Sequence, residues 1–152
     1  MPMLRVLAAY LVALCATYLI GSVAATQFVL QEVVALGPEV PWPVRLETTG
    51  QDLVGLAGSY LPLLALALVL ALPVAAGLFR LVPAARFAGY LAAGFVAVLA
   101  LHLIMKAVFG VTGIAATRSL AGLLAQGAAG AVGGALFHVL TAGRRPPVPH
   151  GA

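Results

Sequence analysis

His102 and Lys106 stand four residues apart in an otherwise apolar stretch, so a helix there would carry both on one face. Ionisable groups within a membrane-length apolar segment are costly to bury and point by default to a functional role. An imidazole in such a place would serve as a hydrogen-bonding group or a proton relay. The competing reading is structural: Lys106 lays its stem along apolar surface and carries its ammonium to the interface, and His102 stays neutral with one hydrogen bond. The neighbours on that face, Phe95, Val98, Leu99, Met105 and Phe109, are bulky, whereas Gly89, Ala93 and Ala97 form a different face. This sorting by size predicts that His102 lies off the seam where helices approach most closely.

Other polar residues gather at corresponding ends of the apolar stretches. The first offers Thr26, Gln27 and Gln31, the second Ser59 and Tyr60, and the fourth Arg118, Ser119 and Gln126. If they converge with His102 and Lys106, they line an outward-facing polar vestibule, and His102 comes within reach of Gln27, Tyr60 or Gln126. The alternative is ordinary interfacial decoration, with Tyr and Trp as belt residues.

Recognisable catalytic and nucleotide-binding motifs are absent from the sequence: there is no GxxxxGK[ST], no HExxH and no GxSxG. A nucleophilic triad needs a placed acid, and the apolar stretches hold none. His102 and His138 fall near opposite ends of their stretches and would not share a metal ion. No catalytic residue, cofactor site or metal site is expected. Cys15 lies alone inside the first stretch, preceded by Val12, Ala13 and Leu14. A lipid-modified cysteine would follow a small residue, so Cys15 reads as an apolar thiol.

The elements that position these residues follow from composition. Of 152 residues, 63% are hydrophobic and 8% charged, against about 25% charged in soluble domains. Such a chain needs hydrocarbon as solvent. Four stretches have the roughly 20 residues needed to cross a bilayer: about 4–30, 56–79, 87–109 and 120–140. Their backbones must satisfy themselves in lipid, and being apolar all round rather than alternating they read as helices. The basic N-terminus mimics a secretory signal, but the run from Val6 to Leu30 is longer than a cleavable core and reads as a retained span.

The stretch around residues 31–54 reads as the one sizeable loop. Pro38, Pro41 and Pro43 around Trp42 argue against a continuous helix, and Val44 to Thr48 alternates like a short strand. Thr49 with Asp52 resembles a capping box that would start the second helix near Gly50. Within that second helix, Pro62 and Pro73 are expected to remove backbone bonds and favour kinks. Residues 143–152 read as a disordered tail.

The clearest packing signal is in the fourth stretch. Ser119, Gly122, Gln126, Gly130, Gly133 and Phe137 recur at spacings of three and four, with Gly127, Ala131 and Gly134 beside them. Gly130 and Gly134 form a GxxxG. Small residues let helix backbones approach closely where lipid provides no hydrophobic drive. The partner would be another helix of this chain, a second copy or another membrane protein.

Orientation follows from Lys and Arg. Arg5, Arg80, Arg86, Arg144 and Arg145 fall on one side; Arg45, Lys106 and Arg118 fall on the other. The first side reads as cytoplasmic, with both termini inside. All four acids, Glu32, Glu39, Glu47 and Asp52, lie in the outward loop. The net charge of +4 is scattered over segment ends without aromatic interleaving, which argues against nucleic acid.

In span count, Ala/Leu/Gly/Val bias and a glycine-rich last helix, the chain resembles the small, uncharacterised four-span inner-membrane proteins of bacteria. That resemblance implies a bacterial inner-membrane location and carries no site residue. The expected architecture is all-α, an integral membrane antiparallel four-helix bundle in contact with lipid. The expected function is a non-enzymatic accessory or assembly component; the alternatives are a small oligomeric transporter or channel built on the vestibule, and a lipid-acting enzyme with His102 as base.

Overall fold

The computed structural model describes residues 2–110 and 112–142. They form five helices: α1 Pro2–Ala35, α2 Trp42–Gly55, α3 Tyr60–Leu78, α4 Arg86–Phe109 and α5 Leu120–Thr141. Short 3-10 turns at Pro83–Ala85 and Ala115–Arg118 precede α4 and α5, and no strand occurs among the described residues. Four of the helical segments, all but α2, are long and apolar enough to cross a membrane. The tail expected to be disordered, 143–152, lies outside the described residues.

The segment read as a loop is largely helical. Gly37 turns the chain after α1 with a left-handed φ of 111°, a conformation a side chain would resist. Pro41 is the extended N-cap of α2 and Pro43 lies in its first turn, where a missing amide is no loss because first-turn amides lack intrahelical partners. The prolines therefore start a helix instead of preventing one. Val44 to Thr48 belongs to α2, not to a strand. No helix begins near Gly50: α2 runs through it to Gly55, and the next begins at Tyr60. Thr49 is no cap, since its hydroxyl donates back to the Arg45 carbonyl at 2.7 Å. Pro62 falls in the first turn of α3 and breaks no helical bond, which leaves Pro73 as the proline inside that helix.

α5 lies between α1 and α4 and makes the most extensive helix contacts of the fold; α3 closes the group against α4 and, more loosely, α1. The fourth-stretch stripe is buried within this chain: Gly122, Gln126, Gly130, Gly133 and Gly134 are all inaccessible. A Cβ on Gly94 would strike the Gly130 carbonyl, and one on Gly134 would strike the Tyr90 carbonyl. On the other side, a Cβ on Gly133 would strike the Thr17 hydroxyl. The backbones of α4 and α5 touch because glycines leave no side chain between them.

Pairs along α1 and α5 run in opposite order. Arg5 donates to the carbonyls of Leu140 and Ala142 at 2.8 and 2.9 Å, Thr17 meets Gly133, and the Gly21 carbonyl meets Gln126. The Arg5 guanidinium thus sits at the C-terminal end of α5, where unpaired carbonyls and the helix dipole favour positive charge.

Candidate functional site: a polar node beside a helical hairpin

The stripe of α4 that faces α5 reads Tyr90, Gly94, Val98, His102, all buried. This corrects the placement of His102 away from the close-packing seam: it is the fourth residue of that seam. Gly94 gives the close approach, and one turn and two turns later the larger Val98 and His102 fit because the opposing helix carries glycines and then Gln126.

Around His102 three helices contribute polar side chains and a fourth contributes backbone. The Gln126 carboxamide donates to the Gly21 carbonyl of α1 at 2.8 Å. Its oxygen accepts from the Tyr60 hydroxyl of α3, also at 2.8 Å. The Tyr60 oxygen and His102 Nε2 are 3.3 Å apart, with the two rings 5.6 Å apart. Gly21 makes this junction possible, since a Cβ there would come within 2.7 Å of the Gln126 carboxamide oxygen. Gln126 is 0% exposed and His102 4%.

Hydrogen counting assigns the protons. The Gln126 amide nitrogen must face the Gly21 carbonyl, so its oxygen faces Tyr60. The single Tyr60 proton goes to that oxygen, so Tyr60 can only accept from His102. His102 therefore carries its hydrogen on Nε2 and keeps a bare lone pair on Nδ1. Nδ1 is buried without a partner, as is the Ser22 hydroxyl of α1.

About one turn further along α1, Thr26 donates to an Asp52 carboxylate oxygen of α2 at 2.7 Å. Gln27 bridges α2 twice: its nitrogen donates to the Thr49 hydroxyl at 3.2 Å, and its oxygen accepts from Arg45 at 3.0 Å. The Tyr18 hydroxyl donates to the Leu53 carbonyl, near the end of α2 where helical partners run out. α2 is thus laid back along the end of α1 as a helical hairpin.

Of the ten residues expected to line a vestibule, the structure joins His102, Tyr60 and Gln126 in one buried node. Thr26 and Gln27 hold the hairpin, and Ser119 caps α5 by accepting from the Gly122 amide at 3.0 Å. Gln31, Ser59, Lys106 and Arg118 are exposed and stand apart from the node. The Gly21 carbonyl is an additional member of the node, and Tyr18 and Asp52 are additional members of the hairpin contacts. Spacing alone gave some signal for the α1 residues, since Thr17, Gly21, Ser22, Ala25 and Thr26 recur along one helical face. The larger cavities among the described residues lie elsewhere and are apolar. One of about 450 Å³ runs between α1 and α3 past Tyr10, Leu68 and Pro73, and one of about 550 Å³ lies between α3 and α4. No group of three or more His, Cys, Asp or Glu suited to a metal occurs among the described residues.

No family model matches the sequence, no curated protein matches it, and no solved structure matches the fold.

Proposed function

We propose that the chain is an integral membrane protein, an antiparallel four-helix bundle, that serves as a non-enzymatic accessory or assembly component of a larger membrane complex. The carrying observation is the use made of the central polar groups: Gln126 has both ends of its carboxamide bonded to other helices, and Tyr60 joins it to His102. Side chains bonded in this way across a bundle hold helices in register. They make a rigid frame, and a rigid frame that presents a separate surface suits an assembly role. Span count, the Ala/Leu/Gly/Val bias and the glycine-rich last helix support a likeness to the four-span inner-membrane proteins of bacteria, and the arginines at residues 5, 80 and 86 favour cytoplasmic termini.

A transport reading draws on a different observation, the two buried polar atoms left without partners, His102 Nδ1 and Ser22 Oγ. Buried groups of this kind call for a water or a passing solute. One experiment separates the readings. Purified in mild detergent, the protein is expected to retain a stoichiometric protein partner, and the His102→Ala variant is expected to retain it too. If the protein runs alone, and vesicles containing it show a solute or proton flux that His102→Ala abolishes, the accessory reading fails.

Sidedness has its own measurement. With Cys15 replaced by Ala, a cysteine at Glu47 is expected to react with an impermeant thiol reagent from outside intact cells, and one at Val82 only after permeabilisation. Reaction of both from one side sinks the proposed bundle topology.

A further inference from the structure

A helix packed on another normally turns its apolar stripe inward and its polar face to solvent. α2 does much the reverse. Arg45, Thr49 and Asp52 face α1 and bond to Gln27 and Thr26. Trp42, Leu46 and Val54 recur with Gly50 at four-residue spacing, and they are 75%, 69% and 79% exposed. No residue of α2 is buried; Leu53, near its end, packs against the apolar core.

Charge on the hairpin is as one-sided as the apolar ridge. Glu32, Glu39 and Glu47 are exposed. The single base between residues 31 and 55, Arg45, is folded inward onto Gln27 and the Val40 carbonyl. The outer face is therefore an apolar ridge with acids beside it, and the one base of the α2 segment is turned inward.

The height of this face narrows what can cover it. α1 has 34 residues, about 51 Å of helix, against about 30 Å of hydrocarbon. With Arg5 at the inner edge, the hydrocarbon ends near Thr26, and the part of α1 beyond it stands outside together with most of α2. Anionic lipid headgroups would meet Glu39 and Glu47 and be repelled. A second copy docking by the same face would bring those acids against their own equivalents, a like-charge contact that disfavours association.

Resting on the accessory reading, we propose that the outer face of α2 is the docking surface for a partner protein outside the membrane, and that the partner presents apolar side chains flanked by Lys or Arg. Trp42 and Leu46 supply the apolar anchor, and the acids select the basic rim.

Trp42 is the only tryptophan, so its fluorescence reports this face alone. The protein in phosphatidylcholine nanodiscs is titrated with two amphipathic helical peptides, one Leu/Lys and one Leu/Glu. The Leu/Lys peptide is expected to shift Trp42 emission to the blue and to bind at least about tenfold more tightly than the Leu/Glu peptide. Leu46→Asp is expected to remove that binding, and Glu47→Lys to erase or reverse the preference. The proposal is overturned if the two peptides bind equally or neither binds. It is also overturned if brominated phosphatidylcholine quenches Trp42 before any peptide is added, which would make the face a lipid surface. A blue shift that grows with protein concentration alone would assign the face to a second copy. Failure here is distinguishable from failure of the accessory reading: a partner that co-purifies equally with wild type and Leu46→Asp leaves that reading standing and removes this surface from it.

Discussion

α5 and α3 belong to one helical group and are held in it by opposite means. α5 meets α4 through Gly130 and Gly134, where backbone touches backbone, while Gly133 makes room for the Thr17 hydroxyl of α1 and Gly127 for the Phe95 ring of α4. α3 meets its neighbours through large side chains, with Tyr60, Leu64, Leu68 and Leu72 buried at four-residue spacing. Its link to α1 adds the Tyr10 hydroxyl, which donates to the Ala65 carbonyl at 2.6 Å, and a groove remains open between the two helices. A glycine contact is set by the backbone and has one geometry. A leucine contact can be remade by rotamer changes. α5 therefore fixes the register of the group, and α3 adapts to it.

The largest expected effect tests that contrast directly. Gly130→Leu would drive a side chain into the Gly94 carbonyl and Val98, and neither helix can move without opening the other seam. The expected loss is about 3 kcal/mol or more, enough to abolish a monodisperse detergent-solubilised species. Leu68→Met, an equally buried site on α3, is expected to cost less than about 1.5 kcal/mol. Leu123→Ile, on α5 but away from the glycines, should be tolerated. Similar loss of thermal stability in all three variants would show that the glycine seam is not special.

A smaller effect probes the one place where α5 and α3 meet by hydrogen bonding. Tyr60→Phe and Gln126→Leu each break the bond between them, and a double-mutant cycle on unfolding in detergent should give a coupling of about 1 kcal/mol. Gln126→Leu alone should cost more than Tyr60→Phe alone, because it also strips the Gly21 carbonyl of its donor. A coupling near zero would mean that the node is adjacent side chains without a shared bond, and that α3 is held by leucines alone.

Much of the helical frame was legible in the sequence because long apolar runs have few alternatives. The second, third and fourth stretches lie on α3, α4 and α5 to within a few residues, and the first is extended at both ends by α1. The glycine stripe was equally visible. The face of His102 was not, for a physical reason. Sorting α4 by residue size placed Gly89, Ala93 and Ala97 together, but a crossing needs one small residue on a helix if the other supplies the rest. Gly94 is that residue, and the larger Val98 and His102 fit beside it. The hairpin was missed because three prolines and four acids read as loop. The signal was present in Trp42, Leu46, Gly50 and Val54, a four-residue repeat, and was obscured by a two-residue alternation over Val44 to Thr48. Hydrogen bonds such as Asp52 to Thr26 depend on how α2 folds back on α1, which no local pattern specifies.

The central position of α5 also bears on how the molecule is made. Chains emerge from the ribosome N-terminus first, and α5 is the last of the described helices to appear. Until it arrives, α1 has no cover for Thr17 and the Gly21 carbonyl, and α4 has none for Gly94 and His102. The four earlier helices are then a clamp without its filling, with these polar atoms left uncovered. In the proposed membrane setting each of the four long apolar helices would enter the bilayer as it is synthesised, but the tertiary structure closes only when α5 lies between α1 and α4. A nascent chain released before residue 120 would leave that gap open, a form that membrane quality control could distinguish from the finished protein.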